Sequence, residues 1–137
     1  FNKNVSVVSF ASFGEALTNA MNTKDQFGNS SLDMGTAKFT SLVSAMAFIE
    51  VFNVLTGHAD VLKDAKGEMP CLEFSMVAVT SPEDLSVMES WDKGDKWVGG
   101  TSVIDSCLGI FNPNLTPDQI QEIISGQTYE VIKERLK

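Results

Sequence analysis

Between residues 39 and 55 the chain runs Phe-Thr-Ser-Leu-Val-Ser-Ala-Met-Ala-Phe-Ile-Glu-Val-Phe-Asn-Val-Leu, with Glu50 as the single charge and neither Pro nor Gly. At helical spacing Thr40, Ser44, Glu50 and Asn53 scatter around the axis instead of gathering on one stripe. A helix apolar nearly all round is buried on most sides, so this stretch is expected to be the long central helix, starting near Thr36 and reaching about Lys66. Phe48, Phe52 and Leu55 are expected to be buried. Gly57 marks a break or kink. The part from His58 to Lys66 is amphipathic, with Val61, Leu62 and Ala65 opposing Asp60, Lys63, Asp64 and Lys66, and Gly67 stops it.

Other segments carry weaker periods. Val5, Val7 and Phe10 alternate loosely with serines, as a strand or the start of a helix would. From Ser12 the three- and four-residue spacing of Phe13, Leu17, Ala20 and Met21 reads as helix. Residues 22–33 are loop by composition. Residues 69–79 form the best strand candidate, bounded by Pro70 and by Thr80-Ser81-Pro82.

Ser81 then fits a helix N-cap, Pro82 the first helical position, and Glu83 and Asp84 the first turn, where carboxylates meet free N–H groups. That helix should end by Trp91, and residues 97–100 should stay irregular. Residues 103–111 are a second apolar run. Thr116-Pro117-Asp118-Gln119 is a capping box opening a helix over 118–125, and a last helix spans 128–135. The expected fold is therefore mainly α: one compact helical domain over residues 1–137 around a long central helix, with at most a small two-stranded sheet from the segments near 5–10 and 69–79.

The 137-residue length suffices for one hydrophobic core, and a 43% hydrophobic fraction is that of a folded protein. The net charge of −8 is uneven, since residues 60–96 hold nine carboxylates against four lysines. An acidic surface repels phosphate backbones, which argues against nucleic acid as a partner. The first residue is Phe1, not Met, so either a precursor was cleaved or the sequence is a cut piece; a natural cleavage would point to an exported, organellar or virion protein. Three Asn-x-Ser/Thr sequons, at Asn4, Asn29 and Asn114, lean weakly towards glycosylation.

Candidate chemistry is sparse. Cys71 and Cys107 are too few and too far apart for a zinc site, and only an oxidising compartment would allow a Cys71–Cys107 disulfide. His58 is the sole histidine, and His58-Ala-Asp60 places base and carboxylate two residues apart, where helical side chains do not face each other. Neither the 92–95 turn nor the 25–33 loop has calcium-loop spacing, and Gly94, Gly99 and Gly100 form no phosphate-binding fingerprint.

No cofactor is implied. Residues 39–55 reach only the lower limit of a membrane span, with Glu50 inside and no flanking basic cluster. Membrane contact is thus less favoured than a core helix. These observations lead to a non-catalytic structural or accessory subunit whose partners are other protein subunits, with Trp91, Trp97, Ile110 and Phe111 as interface candidates. The alternatives are a small apolar-ligand binder with a Phe- and Met-rich pocket, a membrane-associated subunit using residues 39–55, and, more remotely, an enzyme whose site is assembled from scattered residues.

Overall fold

The computed structural model describes residues 6–10, 15–37, 40–92 and 100–135. Its elements are β1 (Val8–Phe10), α1 (Glu15–Asn22), β2 (Met34–Ala37), α2 (Thr40–Leu55), a 3₁₀ turn (Ala59–Leu62), β3 (Val77–Val79), α3 (Pro82–Asp92), α4 (Gly100–Ser106), α5 (Pro117–Ser125) and α6 (Tyr129–Arg135). The structure is about 52% helical, so the mainly α class holds. The small sheet has three strands, not two, in the order β1-β2-β3, with β1 parallel and β3 antiparallel to β2. The additional strand, β2, covers Met34–Ala37, and its second half, Thr36 and Ala37, is where the sequence predicts the start of the long helix. Four residues without alternation carry no strand signal of their own, and their pairing with two neighbours supplies it.

One buried cluster gathers residues from all six helices: Leu17 and Met21 of α1, Leu42, Met46 and Ile49 of α2, Leu85 and Met88 of α3, Val103 of α4, Ile120 and Ile124 of α5, and Ile132 of α6. Val61 and Leu62 of the 3₁₀ turn and Val79 of β3 complete it. Among the described residues the buried hydrophobic set consists of aliphatic side chains, methionines and Cys107, with no Phe.

The helix ends follow the local chemistry. Thr116 caps α5 in a full capping box with Gln119, and Pro117 stands in the first turn. Thr116→Ala should therefore lower the unfolding free energy by about 0.5–2 kcal/mol. An unchanged denaturation midpoint in the folded variant would show that the cap contributes nothing. Ser81 accepts the Asp84 amide at 3.1 Å, and the Asp84 carboxylate takes the amide and hydroxyl of Thr80, both at 3.2 Å. Its other oxygen accepts the Tyr129 hydroxyl at 2.7 Å, which ties α6 to the start of α3.

Burial pulls the Asp84 carboxyl upward, yet the hydrogen bonds from Tyr129, Ser81 and Thr80 outweigh it and hold the group below its ordinary range. Burial, with the Asp84 hydrogen bond, pushes Tyr129 from 10.0 up to about 12. A folded-state value raised above the unfolded one stabilises below the unfolded value, and that stabilisation fades as pH climbs through the folded value. The contact should thus weaken between about pH 10 and pH 12. Tyr129 is the sole tyrosine, so phenolate absorbance reads it directly. The midpoint should lie near 12 in the folded chain and fall to about 10 in denaturant. A folded-state midpoint of about 10 would mean that the bond to Asp84 is not made.

The C-terminus of α2 closes in a left-handed turn. Gly57 has φ +80°, the left-handed conformation that favours glycine. The His58 amide donates to the Asn53 carbonyl at 2.7 Å and the Gly57 amide to the Val54 carbonyl at 3.2 Å, the two bonds of a Schellman turn. The break expected at Gly57 is therefore a helix end. Beyond it the expected amphipathic helix shrinks to the 3₁₀ turn, because Asp64 folds back to accept the amides of Lys66 and Glu68.

Candidate interaction surface

α2 packs by one face. Leu42, Ala45, Met46, Ile49 and Asn53 are buried. Val43, Ser44, Ala47, Phe48, Val51, Val54 and Leu55 on the opposite side are exposed, Phe48 at 52% and Leu55 at 79%. The expected burial of Phe48 and Leu55 is thus overturned, while Phe52 is half-buried and packs on the core edge with its ring centroid 5.6 Å from that of Phe48. The reason is geometric. A helix apolar all round offers several stripes at 100° per residue, and composition does not say which one faces inward. The structure selects the stripe that carries Asn53.

Asn53 is fully buried within this apolar helix. Its amide nitrogen donates to the Cys107 carbonyl at 3.0 Å, and its amide oxygen accepts the Gly109 N–H at 2.8 Å. A buried side chain that satisfies one backbone acceptor and one backbone donor acts as a clamp between segments more than fifty residues apart in sequence. The Schellman turn brings His58 to the same place. A Cβ added to Gly109 would stand 2.5 Å from the His58 Cβ and 3.1 Å from Val61 Cγ1, so the backbone there approaches closer than any side chain allows. Ile110 and Phe111 follow directly, exposed at 52% and 63%, and are held beside the C-terminal end of α2.

Of the four interface residues expected from sequence, Ile110 and Phe111 are therefore on the surface, beside α2. Trp97 and the side chain of Trp91 lie outside the described residues. The larger apolar surface, the outer face of α2, was missed. The signal present in the sequence was the run 43–55 itself, apolar on every side with Glu50 as its single charge, which exceeds what a core-facing stripe requires.

The remaining candidates resolve into structural roles. Both cysteines are free, Cys71 exposed and Cys107 fully buried, so the disulfide considered above is not formed. Burial pushes the Cys107 thiol up to about 11, which leaves it protonated and a poor nucleophile at neutral pH. His58 and Asp60 form no dyad, since Asp60 pairs with Lys63 at 2.9 Å and His58 packs on Gly109. In the 25–33 loop, Asp25 accepts the amides of Phe27 and Asn29 and the Asn29 side chain, and the Asn29 backbone bond foremost holds its carboxyl below the ordinary value. Asp33 accepts the Val7 amide at 3.0 Å. Among the described residues no group of three or more His, Cys, Asp and Glu is placed to hold a metal ion.

The pocket alternative also meets a different interior from the one expected. Phe27, Phe48 and Phe111 are exposed and Phe52 and Phe74 half-buried, so the described Phe side chains do not line a hidden chamber. The hollow between Glu50, Leu62, Met69, Pro70, Leu72, Pro117 and Ile120 measures about 20 Å³, room for about one water. A roomier groove of about 390 Å³ is lined by Asn22, Lys24, Ser30, Asp33, Thr80 and Ser81 together with Met21, Leu32 and Pro82, and is largely polar. Among the described residues no helix is long and apolar enough to cross a membrane. Comparison with protein-family models, with curated proteins and with solved structures finds no match to this chain.

Proposed function

We propose that the chain is a non-catalytic structural or accessory subunit of a larger protein assembly, and that the outer face of α2 is where a neighbouring subunit packs. The observation that carries this reading is the uncharged exposed face of Val43, Ala47, Phe48, Val51, Val54 and Leu55 on a chain whose net charge is −8. A continuous apolar face costs free energy in water, and such patches mark interaction surfaces. At 1.5 Å per residue the helix offers a face about 24 Å long, and its exposed positions 44, 47, 51 and 54 step by three and four. That is the seam spacing on which a second helix packs at a shallow crossing angle. Ile110 and Phe111 extend the apolar surface beside the C-terminal end of this face.

With a neighbour in place, α2 is enclosed on both sides and becomes the long central helix that its composition calls for. Phe48→Ser combined with Val51→Lys tests the reading. Val51 faces solvent and Phe48 touches the Phe52 ring at the core edge, so the isolated variant should stay folded and lose no more than about 2 kcal/mol, while losing its association with the neighbouring subunit. A variant that unfolds would place these residues in the core. A folded variant that still assembles would remove α2 from the interface.

A further inference from the structure

A second surface, independent of α2, lies in the segment preceding β3. We propose that residues 71–75 form an open strand edge that binds an extended basic peptide segment of a partner protein. Along this stretch Leu72 and Phe74 turn inward, half-buried against the core, while Cys71, Glu73 and Ser75 are exposed, the strict alternation of a β-strand. The alternation slips by one residue at exposed Met76 before Val77 and Val79 turn inward again. Regular pairing with β2 accordingly begins only at Val77, and the strand expected over 69–79 is reduced to Val77–Val79.

The backbone shows which edge is occupied. Gln121 of α5 grips Glu73 as a neighbouring strand would: its side-chain oxygen accepts the Glu73 amide at 2.8 Å, and its nitrogen donates to the Glu73 carbonyl at 2.9 Å. In an extended strand the N–H and C=O of one residue point to the same edge, and those of its neighbours to the opposite edge. The Leu72 and Phe74 backbone groups thus face away from Gln121. Among the described residues, no hydrogen bond is made by the main chain of either residue, backbone or side chain supplying the partner. Unpaired groups in a row are the template for strand addition.

Charge selects the occupant. Glu73 and Glu68 are exposed on and beside the segment, and the chain carries −8, so an acidic peptide is repelled and a basic one attracted. Cross-strand pairing then asks for apolar side chains beside Leu72 and Phe74 and a Lys or Arg beside Glu73.

The probe is the synthetic peptide Thr-Val-Lys-Val-Lys-Val-Thr with blocked ends, added at millimolar concentration to the full chain while amide exchange is followed by NMR. In the free chain the Leu72 and Phe74 amides should exchange fast and the Glu73 amide more slowly. Peptide should slow Leu72 and Phe74 by at least about tenfold and leave Glu73 unchanged. The same peptide with Glu for Lys, or N-methylated at alternate residues, should give no protection. Slow exchange of Leu72 and Phe74 in the free chain, no protection by the Lys peptide, or equal protection by all three peptides overturns the proposal. Protection that rises with protein concentration alone also overturns it, by assigning the edge to a second copy of the chain. None of these readings involves Phe48 or Val51, so this edge and the α2 interface stand or fall separately.

Discussion

Asn53→Ala is expected to lower the unfolding free energy by about 3–5 kcal/mol, the larger of two effects centred on the C-terminal end of α2. The side chain is completely buried and meets the Cys107 carbonyl and the Gly109 amide. Truncation leaves both partners without hydrogen bonds, at about 1–3 kcal/mol each, and opens a small hole in addition. Against a total stability of roughly 5–15 kcal/mol for a domain, that is a severe loss. Asn53→Leu separates polarity from volume. It suits an apolar helix and fills the space, yet it still strands the two backbone groups, so chemical denaturation should show a loss of more than about 2 kcal/mol. A Leu variant as stable as the parent would mean that the hydrogen bonds do not hold the segments together.

Gly109→Ala is expected to cost about 1–3 kcal/mol through overpacking. The new methyl would meet the His58 Cβ at 2.5 Å, and a Cβ is fixed by its own backbone, so no rotamer change relieves the contact. The backbone must move instead, which pulls the Gly109 amide from Asn53. His58→Ala should therefore fail to rescue the variant, because Ala keeps the Cβ. His58→Gly should rescue it in part, and a double-mutant cycle should return a coupling of about 0.5–3 kcal/mol. Additive effects would place the two residues out of contact.

Much of the helical layout was legible because it is encoded locally. Ser81-Pro82 and Thr116-Pro117-Asp118-Gln119 specify helix starts by side-chain hydrogen bonds within four residues, and α3 and α5 begin where those motifs stand. Gly57 likewise signals its turn through its own backbone. What was not legible depends on distant partners. β2 is a strand because β1 and β3 flank it, and 71–75 stays outside the ladder because a one-residue slip at Met76 separates it from β3. Asn53 read as one of several scattered polar residues, although its role as clamp rests on a segment beyond position 100. On α2 the sequence supplied apolar residues on every side, and only packing distinguishes the face turned to the core from the face left open. The interface candidates were sought among aromatics in irregular segments, where Ile110 and Phe111 are indeed exposed, while the broader surface lay on the element assigned to the core.

The outer face of α2 is the centre of this account, and covalent footprinting of its side chains tests it most directly. Labelling should mark Phe48, Val51 and Leu55 in the isolated chain, where all three are more than half exposed. In material taken intact from its source, the same residues should be shielded by a neighbouring subunit, while the exposed Phe27 at the tip of the 25–29 turn serves as the reference. Equal labelling of Phe48, Val51 and Leu55 in the isolated and the native material would contradict the account.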